Sequence, residues 1–222
     1  MFCGKTKHLT FSFDDGVTQD RRMVKLLDKY GLKATFNLNS GRLGIGERHV
    51  TNEEIKELYA NHEVAVHTVT HAALSALSEQ GIILEVENDR KALEELTGYP
   101  VRGMAYPGVA SYPLYTEEVM DTVEKYTKIQ YARTTTLTYA FDYPERLLEI
   151  KPTAHFCKEP ETLLELADRF IEQNAQKPML FYIWGHSYEL KNEDDWKRFE
   201  AFCEKISGNA DVFYGTNSEI LL

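Results

Sequence analysis

Thr10-Phe11-Ser12-Phe13-Asp14-Asp15-Gly16 joins the end of a strand to two carboxylates and a turn. Leu9 to Phe13 is rich in aromatic and β-branched residues, which suits a buried strand. Gly16 permits the tight turn that stops it. Adjacent carboxylates repel, so burying both is unfavourable unless a cation or a shared proton compensates. Neighbouring side chains at a strand end point in different directions, so one Asp can bind a metal while the other faces a substrate. Taken alone, the stretch also reads as an ordinary solvated Asp-Asp-Gly turn.

Similar short apolar runs recur outward from this one, at Ala34 to Leu38, Glu63 to Val66, Gly103 to Tyr106, Gln130 to Ala132, Met179 to Trp184 and Val212 to Tyr214. Between them lie stretches with helical spacing, such as Leu163, Ala167, Phe170 and Ile171, or Trp196, Phe199, Cys203 and Ile206. Thr51-Asn52-Glu53-Glu54 reads as a capping box opening a further helix. Strand and helix alternate, which implies parallel strands with helical crossovers in a barrel or an open sheet. Asp14 and Asp15, His67 and His71, Tyr106 and His186 each follow or end a different strand. A βα barrel gathers such residues at its C-terminal face; an open sheet does so at one edge, and the barrel is preferred.

His67-Thr68-Val69-Thr70-His71 places two imidazoles four residues apart. Extended chain would separate them by about 13 Å, whereas one helical turn would bring them onto one face. A shared ion therefore requires that the strand has ended by His67. Trp184-Gly185-His186-Ser187-Tyr188-Glu189 sends a histidine out of the most apolar strand between aromatic walls, as suits an acid/base group at a cleft floor. His8, His49, His62 and His155 lack such neighbours and are read as structural or exposed.

The 222 residues carry a formal charge of -10, with 43% hydrophobic and 27% charged residues. An acidic chain argues against nucleic acid as the main partner. No linker, repeat or low-complexity tract interrupts it, so one domain spanning 1–222 is expected. Cys3, Cys157 and Cys203 are widely spaced and are read as reduced thiols. The start, Met1-Phe2-Cys3-Gly4-Lys5, lacks the apolar stretch of a signal peptide, and no run is long enough to span a bilayer. A cytoplasmic location without membrane attachment is expected; the oligomeric state is left open.

TFSFDDG at Thr10 to Gly16, HTVTH at His67 to His71, and a late strand ending in His186 resemble the first, second and fifth motifs of the polysaccharide deacetylase family, carbohydrate esterase family 4. The resemblance implies an irregular (β/α) barrel of about seven parallel strands, a divalent metal, and hydrolysis of acetyl groups from a carbohydrate. Asp14 would be the general base, Asp15, His67 and His71 the metal ligands, and His186 the general acid. Thr68 would match the small hydroxyl residue that steadies the histidine loop. Zinc is favoured by the ligand type, with Co(II), Ni(II) or Fe(II) also suited to two His and one carboxylate.

The family's third motif has an Arg directly before a Pro-Pro-aromatic-Gly run, whereas here Ala105-Tyr106-Pro107-Gly108 stands there and Arg102 lies three residues early. Arg102 is the candidate partner of Asp14, Tyr106 a supporting residue, and the Gly108 backbone N–H the oxyanion donor. The fourth motif's Asp-Trp pair has no match between Tyr106 and His186, so Glu189 or Asp142 is expected to supply the charge beside His186. Trp184 stands where the fifth motif has Leu, which would reshape the acyl pocket or sugar platform. Two rival functions remain: a sugar-binding module without catalysis, and a non-haem Fe(II) oxygenase, which normally sits on a β-rich fold.

Overall fold

The computed structural model describes residues 4–222. Eight strands, all paired in parallel, build the sheet: β1 (Lys7–Asp14), β2 (Ala34–Leu38), β3 (Glu63–Val66), β4 (Gly103–Ala105), β5 (Tyr131–Arg133), β6 (Ala154–His155), β7 (Met179–Gly185) and β8 (Val212–Tyr214). Helices α1 (Asp20–Lys29), α2 (Ile55–Leu58), α3 (Glu79–Thr97), α4 (Glu117–Tyr126), α5 (Pro160–Glu172), α6 (Glu193–Ile206) and α7 (Asn217–Leu221) fill connections between strands or end the chain. The order runs β5-β4-β3-β2-β1-β7-β6, with β8 against the first half of β1. One segment stitches the two ends together: Ile150 bridges to Arg133 of β5, and Ala154 and His155 pair with β7. The result is an irregular (β/α) barrel, as the resemblance implied; the strand and helix alternation had left an open sheet possible as well.

Alternation along β1 sets what lies inside the wall and what lies outside. Phe11 and Phe13 point outward under the helices, where Phe11 meets Phe199 and Phe202 of α6 at 6.0 and 6.3 Å between ring centroids. Burying each such ring contributes roughly 2–3 kcal/mol. The intervening Thr10, Ser12 and Asp14 point inward, and all three are buried. The lumen is polar: Thr10 donates to Asn217, Asn37 donates to Ser12 at 2.9 Å, and Glu63 accepts from Thr35 at 2.8 Å and from the Tyr131 hydroxyl at 2.9 Å. Buried polar groups of this kind are tolerable because they hydrogen-bond to one another, with Asn37 Oδ1 left unpaired.

The expected apolar runs lie on β1 to β5, β7 and β8, and the two apolar helical faces lie on α5 and α6. Strand β6 is absent from the expectation because two residues leave no periodic signal. The capping box at Thr51 and Glu54 exists, but it opens one 3₁₀ turn leading into the four-residue α2. Cys157 and Cys203 are free thiols, and Cys3 lies outside the described residues. Among the described residues no helix is long and apolar enough to cross a membrane.

Candidate active site

β1 ends in Asp14, and the chain then turns through two residues of positive φ, Asp15 at 83° and Gly16 at 62°. A Cβ on Gly16 would meet Leu38 Cδ2 at 2.9 Å, so both the conformation and the space call for glycine. The turn separates the two carboxylates. Asp14 faces the lumen, where Oδ1 accepts from Asn37 Nδ2 at 2.8 Å and Oδ2 takes a short contact from the Arg133 guanidinium. Asp15 Oδ1 instead approaches His67 Nε2 at 3.8 Å and His71 Nε2 at 3.6 Å.

β3 ends at Val66, so His67 starts the loop. The loop to His71 is irregular rather than the helical turn expected, and it reverses through Thr68 at φ 65° and His71 at φ 61°. The two rings come to 4.8 Å between centroids. Strained backbone of this sort persists only where the surroundings hold it. Here Asn39 donates to the carbonyls of His67 and Thr68, Asp89 of α3 accepts from the His67 N–H at 3.0 Å and from the Ser40 N–H at 2.6 Å, and Thr68 Oγ1 accepts from the Ala72 N–H at 3.2 Å.

His67 Nδ1 donates to the Ala105 carbonyl at 2.8 Å, which leaves the lone pair on Nε2, toward the carboxylates. Burial, with the adjacent His71, pushes the His67 pKa down to about 4 against the pull of Asp14 and Asp15, so the ring is neutral near pH 7. Asp15 Oδ1 is buried and accepts no hydrogen bond. In a tetrahedral site with ligands at about 2.0–2.1 Å, donor atoms sit about 3.4 Å apart. The donor atoms of Asp15, His67 and His71 all lie within 4.8 Å of one another, so this set fits a divalent ion.

His186 follows β7, with Nε2 4.0 Å from Asp14 Oδ2. Its backbone N–H donates to Glu189 Oε2 at 2.8 Å, and its Nδ1 lies 3.2 Å from the same oxygen. Burial disfavours the charged ring, but Glu189 and Asp14 outweigh it and raise the His186 pKa. Burial likewise works to raise Asp14, and Arg133, His67 and His186 together hold it below the ordinary carboxylate value. An acid with a raised pKa therefore faces a base with a lowered one. Asp20 of α1 steadies the His186 loop by accepting from Ser187 and, at 2.8 Å, from the Tyr59 hydroxyl.

Several sequence expectations change. Arg102 is exposed and away from Asp14, and Arg133 at the end of β5 takes the place expected of it. In a flat sheet, four spacings of about 4.8 Å would put β5 roughly 19 Å from β1. Barrel curvature closes that gap. Arg133 also stacks 4.4 Å from the Trp184 ring, so Trp184, only 5% exposed, is a buried wall beneath the guanidinium and not an open sugar platform. Tyr106 turns away, donating to the Leu148 carbonyl at 2.9 Å and stacking on Tyr115. Gly108 lies exposed beyond β4. Asp142 is paired with Lys177 at 2.5 Å, so of the two candidates Glu189 is the carboxylate beside His186. His155, set aside as structural or exposed, is buried and stands 3.1 Å from Glu189.

The family model for polysaccharide deacetylase matches residues 3–131. A probable peptidoglycan-N-acetylglucosamine deacetylase from Arthroderma benhamiae is 30% identical over 139 residues, 62% of this chain and 31% of its own length. The chain thus spans about a third of that relative. Among solved structures, a polysaccharide deacetylase from Bacillus cereus is 27% identical with a TM-score of 0.52, covering 63% of this chain and 44% of that one. A putative polysaccharide deacetylase from Mycobacterium smegmatis shares the fold over 98% of this chain and 89% of its own, at a TM-score of 0.71 and 17% identity. A CE4 family pseudoenzyme from Bacillus anthracis shares it over 100% and 67%, at 0.61 and 19%. With more than half its length matched by the family model and the motif residues gathered at one end of the barrel, this chain belongs to the polysaccharide deacetylase family.

Proposed function

We propose that the chain is a metal-dependent hydrolase that removes N- or O-linked acetyl groups from a short soluble oligosaccharide or related small molecule. The observation that carries this reading is the juxtaposition of a base and an acid, Asp14 and His186, 4.0 Å apart beside the Asp15, His67 and His71 donor set. A divalent ion held by those three, zinc by ligand type, would polarise the acyl carbonyl and acidify the attacking water. Asp14, kept ionised by Arg133, takes the proton from the water. The Gly108 N–H is the backbone donor proposed for the developing oxyanion. His186, kept protonated by Glu189, delivers a proton to the leaving nitrogen or oxygen, without which an amide leaves poorly.

The second reading, sugar binding without turnover, draws on the pseudoenzyme among the structural neighbours. What favours catalysis is the machinery around Asp14 and His186, since a binding module needs neither an ionised buried base nor a carboxylate-backed acid. The test is acetate release from a panel of short N- and O-acetylated sugars with zinc, cobalt, nickel or iron supplied. Turnover that requires a metal and vanishes in Asp14→Asn supports the proposal. Sugar binding with no acetate release under any metal would replace it with the binding module, and turnover only on insoluble polymer would overturn the substrate size.

A further inference from the structure

His155 lies on β6 in the barrel wall with its side chain 1% exposed, pairing in register with Trp184. Its ring is packed edge-on against Trp184 at 4.8 Å and beside Phe156 at 5.6 Å. Nδ1 receives two backbone N–H groups, from Cys157 at 3.3 Å and Lys158 at 3.2 Å. Backbone N–H groups only donate, so Nδ1 is the nitrogen with the lone pair and the proton of the neutral ring resides on Nε2. Nε2 lies 3.1 Å from Glu189 Oε2, the oxygen shared with the Nδ1 and backbone N–H of His186. The three side chains together form a set with metal-like spacing, His155, His186 and Glu189. The tautomer excludes that use: with Nδ1 committed to two donors, Nε2 keeps its hydrogen and offers no lone pair to an ion.

We propose that His155 is a positioning residue that acts through Glu189 to aim His186. Glu189 closes a single 3₁₀ turn, Ser187–Glu189, just after β7, and a glutamate there keeps three rotatable bonds. The His186 N–H of that turn already holds Oε2, and His155 adds a contact from outside the turn toward the about 1–2 kcal/mol of rotamer freedom that fixing such a side chain costs. His155 is anchored in the wall through Nδ1 and by two aromatic neighbours, and its Nε2 faces Glu189 Oε2 at 3.1 Å without the alignment of a full hydrogen bond, so it supplies the fixed point. Glu189 Oε2, with His155 Nε2 3.1 Å away on one side, accepts the His186 Nδ1–H on the other, and this orients the His186 Nε2 toward Asp14 and the leaving group. The carboxylate support that the fourth motif would bring is thereby assembled from β6 and the turn after β7.

This inference rests on the deacetylase reading, and its test separates the two. His155→Phe keeps the ring packing and deletes the donor; His155→Gln replaces the ring with an amide able to donate toward Glu189. With N-acetyl sugars the Phe variant should lose about 10–100-fold in kcat with KM within about twofold of wild type, the scale of losing an outer-sphere partner. An aryl acetate, whose leaving group needs little protonation, should lose less than about threefold. The Gln variant should recover most of the loss, and His155→Phe added to Glu189→Gln should cost nothing further, because both act through one contact. Ring ¹⁵N correlation spectra, which need no turnover, should show His155 with its proton on Nε2 and the His186 Nδ1–H protected in wild type but exchanging in His155→Phe. Equal losses on amide and aryl ester, or additive losses with Glu189→Gln, would overturn the proposal. A His155 proton on Nδ1 would also overturn it. Absence of acetate release from every sugar by the wild type would instead sink the functional reading, and the ring spectra would still decide the role of His155.

Discussion

Replacing Arg133 by Met removes the one guanidinium buried against Asp14 while keeping roughly the same volume against Trp184. Both partners are buried, at 0% and 3% side-chain exposure, so the carboxylate left behind loses its buried countercharge with little solvent to replace it. Breaking a buried ion pair by deleting one partner costs about 3–5 kcal/mol. For a chain of this size each kcal/mol lowers Tm by about 2–4 °C, so a fall of roughly 6–20 °C is expected. The pH dependence carries a sign. With Arg133 present the Asp14 pKa is depressed, so the pair's contribution is present above the ordinary carboxylate range and fades as pH falls through the depressed pKa. The Tm gap between wild type and Arg133→Met should therefore be widest near pH 7 and shrink below about pH 4. Acetate release should fall as well, with its acid limb moved to higher pH, because burial is then opposed only by the imidazoles and Asn37. Arg102→Met is the control: Arg102 is exposed, and the surface change should leave Tm and rate within error. Calorimetric melts from pH 3 to 8, beside acetate assays, read both effects. An Arg133→Met protein with wild-type Tm and pH profile, or an Arg102→Met protein with the larger loss, would refute the assignment.

The two adjacent aspartates should separate: Asp14→Asn should keep the bound metal by elemental analysis and lose turnover by at least about 100-fold, whereas Asp15→Asn, His67→Ala and His71→Ala should each lower metal content. Equal metal loss in Asp14→Asn and Asp15→Asn would break the division of roles. His62 accepts the Ala34 N–H at 3.2 Å, and burial pushes its pKa down to about 4, so the neutral ring stabilises the fold above pH 6.5 and that stability is lost as pH falls through 4. The loss is on the order of 3 kcal/mol at most, and His62→Gln should flatten the slope of unfolding free energy between those values; an unchanged slope would place the protonation elsewhere. Gly185→Ala would put a Cβ 2.2 Å from Phe156 Cδ1 and should lower both Tm and amide turnover by displacing the residue before His186, while a variant with wild-type melting would show that Phe156 moves aside freely.

The features legible in the chain before folding are local. A strand is announced by a run of apolar and β-branched residues, so Ala34–Leu38 and Glu63–Val66 agree with the structure to the residue. Asp14, Asp15, His67 and His71 were visible because each group occupies one continuous turn, and the chemistry of neighbours in sequence can be argued without knowing what lies across the barrel. Arg133, Glu189 and His155 depend on partners 119, 3 and 34 residues away, respectively. Glu189, three residues from His186, was among the residues the sequence offered, yet nothing local separates it from Asp142. Arg133 and His155 carried no signal: one ends a three-residue strand and the other a two-residue strand, too short for periodicity to show which way a side chain points. Their positions follow from closure. Only when the sheet curves far enough for Ile150 and β6 to join β5 to β7 do these inward-facing ends converge on Asp14 and His186. That curvature is a sum over all the strand pairings, and no single stretch of sequence encodes it.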